Sequence, residues 1–200
     1  MPGLFSTIEG VDGAGKTTVA GKVANRLERA GVAVTLTMEP TDTWRGEAVK
    51  KAIERDVDPV TETFLFLADR QAHSPRIRSW RGEGTLVISD RYADSTYAYQ
   101  GARLAGKVDR PMRWLQKLSA PYLVTPDVTY LLAVPPELAL ARIGHRAKRV
   151  RFEELGFLRR VATNYRELAQ DPRFVKVDAT RDAGAVSSDI VADLLRRYRQ

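Results

Sequence analysis

The chain contains no cysteine, which excludes disulfides and thiolate metal sites. It has only two histidines, and neither His73 nor His145 stands in a catalytic context. No apolar run approaches the roughly 20 residues that would span a membrane. The N-terminus lacks the basic-then-apolar order of a secretory signal. There is no internal repeat, low-complexity tract or linker, so one domain over residues 1–200 is expected. Acidic residues are the minority charge: 25 Asp and Glu stand against 32 Lys and Arg, for a net charge of +7. That surplus suits a nucleic-acid surface, an enzyme whose ligands are polyanions, or a solvated basic face, and only its location separates the three. Apolar residues make up 44% and charged residues 28%, as in an ordinary globular domain. A cytoplasmic enzyme without membrane or nucleic-acid partners is the expectation.

Short runs rich in Val, Ile and Leu recur at Leu4–Glu9, Val32–Met38, Thr85–Ser89, Val128–Val134 and Phe174–Val177. They read as strands buried on both faces. Helical patterns lie between them, over Lys16–Ala30, Trp44–Arg55, Pro59–Arg81, Met112–Ser119, Pro136–Arg146, Phe157–Ala169 and Ala185–Tyr198. In the first, Val19, Ala20, Val23, Ala24 and Leu27 share one face, and Gly31 ends it. Strand–helix alternation predicts an α/β, doubly wound and mainly parallel sheet.

Between the first strand and the first helix stands GVDGAGKTT, which fits G-x-x-x-x-G-K-[ST]. Glycines there let backbone N–H groups converge on phosphate oxygens, and the helix N-terminus adds the positive end of a dipole. Lys16 is placed to reach the β- and γ-phosphates and Thr17 to offer its hydroxyl to Mg2+. The motif indicates a nucleoside triphosphate and no more. No N/T-K-x-D base-reading motif of a GTPase is found, and motors are usually longer, so a small kinase leads.

Asp90 and Arg91 end the third apolar run. Ligands bind at the carboxyl ends of strands in open α/β sheets. An acid there can hold Mg2+ through water, and the adjacent arginine a second phosphate; a plain surface turn is the other reading. Ser95, Thr96, Tyr97, Tyr99 and Gln100 follow at helix-like spacing, either lining a pocket for a base and sugar or forming a polar helix face. Residues 142–154, RIGHRAKRVRFEE, are strongly basic: a solvated helix end, a nucleic-acid patch, or a lid that closes over phosphates.

Taken together, FSTIEGVDGAGKTT, MEP (38–40), FLFLADR (64–70), SDRYADSTYAYQG (89–101), TPDVTYLLAVPPE (125–137) and VDAT (177–180) resemble the thymidylate kinase family, in order along nearly the whole chain. The resemblance implies the P-loop kinase fold, a five-stranded mainly parallel sheet of order 2-3-1-4-5 flanked by helices, with a short lid at about 142–154. It implies transfer of a phosphoryl group from ATP to dTMP with Mg2+ as cofactor, and a homodimer. Gly10, Val11, Asp12, Gly13, Ala14, Gly15, Lys16, Thr17 and Thr18 would cradle ATP, with Ala179 of VDAT beside its adenine, and Thr17 and Asp90 would hold the metal. Asp12 would also reach the acceptor's 3′-hydroxyl. Phe66 would stack on thymine, Arg70 bind the base edge, and Thr96 and Gln100 hydrogen-bond the base. Tyr99 would crowd the 2′ position, Arg91 grip the dTMP phosphate, and Ser95, Glu39 and Pro40 frame the acceptor site. From spacing alone, Phe66 and Arg70 are i, i+4 and share a helix face, where Phe66 could equally be core.

Some family members carry a catalytic arginine inside the P-loop and others in the lid. Gly13 occupies that P-loop position here, so the resemblance points to lid arginines, Arg149 or Arg151. Two departures from the family pattern are Met38 in place of an arginine before Glu-Pro, and TDTWRG in place of glycines after it. The rival expectations are a kinase of another nucleoside monophosphate and a nucleotide-binding ATPase that is not a kinase.

Overall fold

The structure is a computed structural model that describes residues 3–144 and 154–198. Five strands, β1 (Phe5–Glu9), β2 (Val34–Met38), β3 (Leu86–Asp90), β4 (Val128–Ala133) and β5 (Phe174–Asp178), form one sheet of order β2-β3-β1-β4-β5. All four pairings are parallel. The helices are α1 (Lys16–Arg29), α2 (Trp44–Glu54), α3 (Pro59–Gly82), α4 (Ala93–Arg103), α5 (Pro111–Ser119), α6 (Pro136–Ile143), α7 (Leu155–Leu168) and α8 (Ala183–Tyr198). The expected elements are all present, with most ends shifted by one or two residues. The helix expected over Pro136–Arg146 ends at Ile143 with Gly144 as its C-cap, and 145–153 lie outside the described residues.

The central strands are buried on both faces because helices cover both, and the polar residues they carry are buried with them. Every residue of β1 and β3 is buried. The α1 stripe of Val19, Ala20, Val23, Ala24 and Leu27 is buried as its spacing predicts, and α1 packs against α8. Each large apolar side chain of such a stripe contributes about 1.5–3 kcal/mol relative to exposure.

One expectation changes. The run Ser95–Gln100 belongs to a helix buried on every side from Ala93 to Ala102, packed against α3, α5 and α7. Its polar groups face an interior site rather than water, which decides against a polar surface face.

Register explains where that site lies. Ile8 is level with Asp90 across β1–β3, and Met38 is level with Asp90 across β2–β3. The carboxyl ends of three adjacent strands therefore bring GVDGAGKTT, Glu39-Pro40 and Asp90-Arg91 to one rim, as open α/β sheets do for their ligands.

Candidate active site

The phosphate loop is built by backbone conformation. Gly10, Gly13 and Gly15 all have positive φ, Val11 and Ala14 anchor in the core, and Asp12 lies between them at the rim. Lys16 Nζ donates to the Val11 carbonyl at 2.7 Å and lies 3.9 Å from Asp12 Oδ1. Thr17 and Thr18 open α1 with their side chains exposed. Burial, then the nearby Arg91 cation, pushes the Lys16 ammonium down to about 7, while Asp12, Asp90 and Glu9 pull it back up. A bound anion would raise it further.

Gly13 is fixed by its neighbour as well as by its φ of 83°. A Cβ there would meet the Ala139 carbonyl oxygen of α6 at 2.1 Å. Any side chain at this position, an arginine included, requires α6 to move.

Arg91 adopts a left-handed backbone (φ 65°), uncommon for a residue with a Cβ. The turn aims its guanidinium back at the loop, where it pairs with Asp12 Oδ1. Its Nη1 reaches Ser95 Oγ at 3.3 Å, and its guanidinium lies over the Tyr99 ring. Burial works against the Asp12 charge, but Arg91 and Lys16 outweigh it and hold the carboxyl below the usual range. Tyr99 accepts from the Asp12 backbone N–H through its hydroxyl at 2.8 Å, so it clamps the glycine-rich loop while also facing a cavity between α3 and α4.

Glu9, the last residue of β1, lies beneath this pair and was not anticipated from sequence. It is fully buried and accepts from the Tyr92 backbone N–H (2.7 Å), Ser95 Oγ (2.6 Å) and Tyr165 Oη (2.9 Å). Burial, then the Asp94 carboxylate, pushes its carboxyl up to about 7 against those hydrogen bonds and the Arg91 charge. The Ser95 hydroxyl donates to Glu9 and accepts from Arg91, so Ser95 ties these two together while also lining the neighbouring cavity. The one acid in β1, standing at its carboxyl end directly before the glycine-rich loop, was the available signal for Glu9.

A cavity of about 350 Å3 opens beside Arg91, between α3 and α4. Phe66, half-buried, lines it with Arg70, Pro40, Tyr99 and Gln100, so Phe66 faces the cavity rather than serving as core. Arg70 is completely buried. Its Nε and Nη2 donate to Glu39 Oε2 at 2.9 and 2.8 Å, and Nη2 also to Thr96 Oγ1 at 2.7 Å. Burial opposes the guanidinium charge, yet Glu39 outweighs it and keeps Arg70 above its ordinary value. His73 Nδ1 lies 3.0 Å from the other Glu39 oxygen, so Glu39 organises the wall from behind.

Two buried atoms in this wall have no hydrogen-bond partner among the described residues: Arg70 Nη1, a donor, and Gln100 Oε1, an acceptor. Each costs about 1–3 kcal/mol if left unpaired, more for a charged group. Their residues line the same cavity, and the pair is suited to a ligand that presents an acceptor beside a donor.

The turn after Glu-Pro, which departs from the family pattern, is held by its own device. The Thr41 backbone N–H and hydroxyl donate to Asp69 at 2.7 and 2.6 Å. Gly46 lets α2 approach, because a Cβ there would stand 1.9 Å from the Thr41 carbonyl oxygen.

Comparison with known proteins decides the family. The thymidylate kinase family model matches residues 8–190. A probable thymidylate kinase of Methanoculleus marisnigri is 44% identical over 194 residues, 96% of this chain and 94% of that protein. Probable thymidylate kinases of Methanosarcina barkeri and Methanococcoides burtonii are 40% and 41% identical, over 98% and 96% of this chain and 97% and 96% of theirs.

The chain belongs to the thymidylate kinase family.

For a thymidylate kinase, the donor side must also accommodate a metal. Thr17 Oγ1 donates to Asp90 Oδ2 at 2.6 Å, and Asp90 Oδ1 is buried with no hydrogen-bond partner among the described residues. An oxygen pair of this kind fits Mg2+, which prefers one or two protein oxygens plus phosphate and water to an all-protein cage. No group of three or more His, Cys, Asp or Glu placed to hold a metal occurs among the described residues.

The Ala179 side chain is buried, its backbone N–H donates to the Ala133 carbonyl at 2.9 Å and its own carbonyl accepts from Arg142 Nη1 at 2.9 Å, so both of its main-chain groups are already paired within the fold. Arg142 also lines the phosphate pocket with Asp12, Lys16, Thr17 and Arg91. It stands out less in the sequence than the arginines after it. The expected lid arginines, Arg149 and Arg151, lie outside the described residues, as does His145. Among the described residues no helix is long and apolar enough to cross a membrane.

Proposed function

We propose how this chain performs the reaction of its family, transfer of the γ-phosphoryl group of ATP to dTMP to give ADP and dTDP. The observation that carries the reading is the unpaired couple in the acceptor cavity, the Arg70 donor and the Gln100 acceptor. Thymine presents O4 beside N3–H, an acceptor beside a donor. Cytosine and adenine present the opposite order and would leave both protein groups unpaired. Phe66 supplies the stacking face. Tyr99 crowds the 2′ position and favours deoxyribose, and Asp12 meets the 3′-hydroxyl.

The acceptor is a phosphate monoester with a second pKa near 6, so it attacks as its own dianion and needs no general base. The difficulty is to bring two polyanions into line. Catalysis is therefore positioning plus charge neutralisation. Arg91, aimed by Asp12, Ser95 and the buried Glu9, holds the dTMP phosphate. The phosphate loop from Gly10 to Thr18 and Lys16 hold the ATP phosphates, and Arg142 with the lid arginines Arg149 and Arg151 covers them. Thr17 and Asp90 would hold Mg2+, which when bound neutralises the β- and γ-oxygens. Polyphosphate ligands account for the basic surplus without nucleic acid.

We extend the reading to a single domain over residues 1–200 with a lid at about 142–154, to a cytoplasmic enzyme drawing on the nucleotide pool, and to a homodimer. Phe64, half exposed and edge-on to Trp114, is apolar surface that a dimer would cover. Sedimentation at micromolar concentration tests the last point. The catalytic reading is tested by ADP release with ATP and each of dTMP, dUMP, dGMP, dCMP and AMP. Turnover should be highest with dTMP, and equal or higher turnover with AMP or dCMP contradicts it.

A further inference from the structure

Gln100 is an amide, and an amide presents either a donor or an acceptor to a base depending on how it is turned. The residues behind it determine which. Gln100 Nε2 donates to Glu62 Oε1 at 3.1 Å. Glu62, in the first turn of α3, is completely buried, and the same oxygen lies 2.8 Å from Arg103 Nη1. Arg103, three residues beyond Gln100 on α4, is anchored in turn by Asp56 Oδ1 (3.2 Å) and the Val57 carbonyl (3.3 Å) after α2.

A carboxylate neutralised by arginine can only accept. It therefore draws the NH2 of Gln100 to itself and turns Gln100 Oε1 away. That oxygen is buried and has no hydrogen-bond partner among the described residues. Gln100 lines the acceptor cavity, whereas neither Glu62 nor Arg103 does.

We propose that Glu62, paired with Arg103, is a specificity-determining positioning residue: it locks the Gln100 amide with its oxygen toward the base, so that the cavity takes a base with a proton on N3 and rejects one without. Selectivity is thus set one residue behind the residue that touches the base. Turning the amide to suit cytosine would place its carbonyl against the Glu62 carboxylate, a repulsion that acts against the wrong partner rather than for the right one. The inference rests on the reading of the cavity as a thymine site.

The test compares dTMP with 5-methyl-dCMP, which keeps the size and methyl group of thymine but reverses its hydrogen-bonding edge. Wild-type enzyme should favour dTMP by at least about a thousandfold in kcat/KM, since a site built around a hydrogen-bonded group rejects an analogue that cannot match it. Glu62→Gln, which can donate as well as accept, should narrow that ratio at least tenfold, with the loss on dTMP falling on KM rather than kcat. Glu62→Asp, which keeps an acceptor-only group, should retain most of the wild-type ratio. A folded Glu62→Gln enzyme with an unchanged ratio overturns the relay while leaving the thymine reading intact. A wild-type enzyme without the preference defeats both.

Should Glu62→Gln not fold, the wild-type enzyme still answers by NMR. The Gln100 side-chain NH2, identified by its loss in Gln100→Glu, should be protected from exchange before dTMP is added and remain protected afterwards. An NH2 that is unprotected in the free enzyme, or that becomes protected only when dTMP binds, overturns the proposal.

Discussion

The two halves of the site are built by different means. The core of the donor side is a single stretch, Gly10 to Thr18, whose shape comes from glycine backbone and whose threonines remain exposed. The acceptor side draws on β1, the turn after β2, α3, α4 and α7, and is made of buried side chains that fix one another: Glu39 with Arg70, Glu62 with Gln100, Glu9 with Ser95 and Tyr165. Phosphate is the same in every nucleotide, so main-chain N–H groups suffice to hold it. A base must be distinguished from close analogues, and that requires oriented side chains in a dry wall. Arg91 joins the halves, pairing with Asp12 in the loop and with Ser95 on α4.

Breaking that joint should have the largest effect. Arg91→Ala should lower kcat/KM for dTMP by about 10^3-fold or more, on the scale of other phosphate-directed arginines. Circular dichroism should report an intact fold, and full activity in a folded variant would refute the assignment. Next comes the donor side alone. Replacing Arg149 and Arg151 together by alanine should cut turnover at least a hundredfold and leave ATP affinity, followed by fluorescent-nucleotide titration, within a few-fold of wild type. Near-normal turnover would remove the lid arginines from the mechanism.

A smaller effect isolates the acceptor side. Phe66→Ala removes a stacking face worth about 1–3 kcal/mol, so dTMP affinity by calorimetry should fall roughly ten- to a hundredfold while ATP affinity holds. Unchanged dTMP affinity would return Phe66 to a packing role.

The least effect on turnover, and one on stability instead, is expected beneath the joint. The Glu9 carboxyl is raised from 4.5 to about 7 in the folded chain. A raised acid binds its proton more tightly folded than unfolded, so its contribution to stability is complete below about 4.5 and is lost as pH climbs to about 7. The slope of that loss is at most about 1.4 kcal/mol per pH unit. Urea midpoints of wild type and Glu9→Gln between pH 4.5 and 7 should therefore converge toward the upper end if the wild type starts ahead. Parallel curves would show that Glu9 keeps an ordinary carboxyl.

The same contrast explains what could be read from the chain alone. The phosphate loop is contiguous, so its residues, spacing and neighbouring strand and helix were legible, whereas the strand order came only through the family resemblance. Arg91 was legible as a phosphate ligand from its place at the end of a strand and Gln100 as one of a run suited to a pocket, whereas the individual roles of Phe66, Arg70 and Gln100 came only from the family pattern. Their partners were not legible. Glu62 and Arg103 are 41 residues apart in number and meet only because α3 packs on α4. Ser95 was legible as a residue of the acceptor cavity, which it lines, but not as a partner of Glu9. Gly13 was legible as a missing arginine, but its reason, the Ala139 carbonyl 2.1 Å from any Cβ, depends on the placement of α6. Buried polar pairs of this kind leave no periodicity in the sequence, because each partner sits on a different element.

The central claim is that buried Arg70 and Gln100 read the edge of the base. The most direct measurement is kcat/KM for dTMP against 5-methyl-dCMP on the wild-type enzyme, two acceptors alike in size and methyl group and opposite in hydrogen bonding. A preference for dTMP of at least about a thousandfold is predicted; rates within tenfold of each other would contradict it.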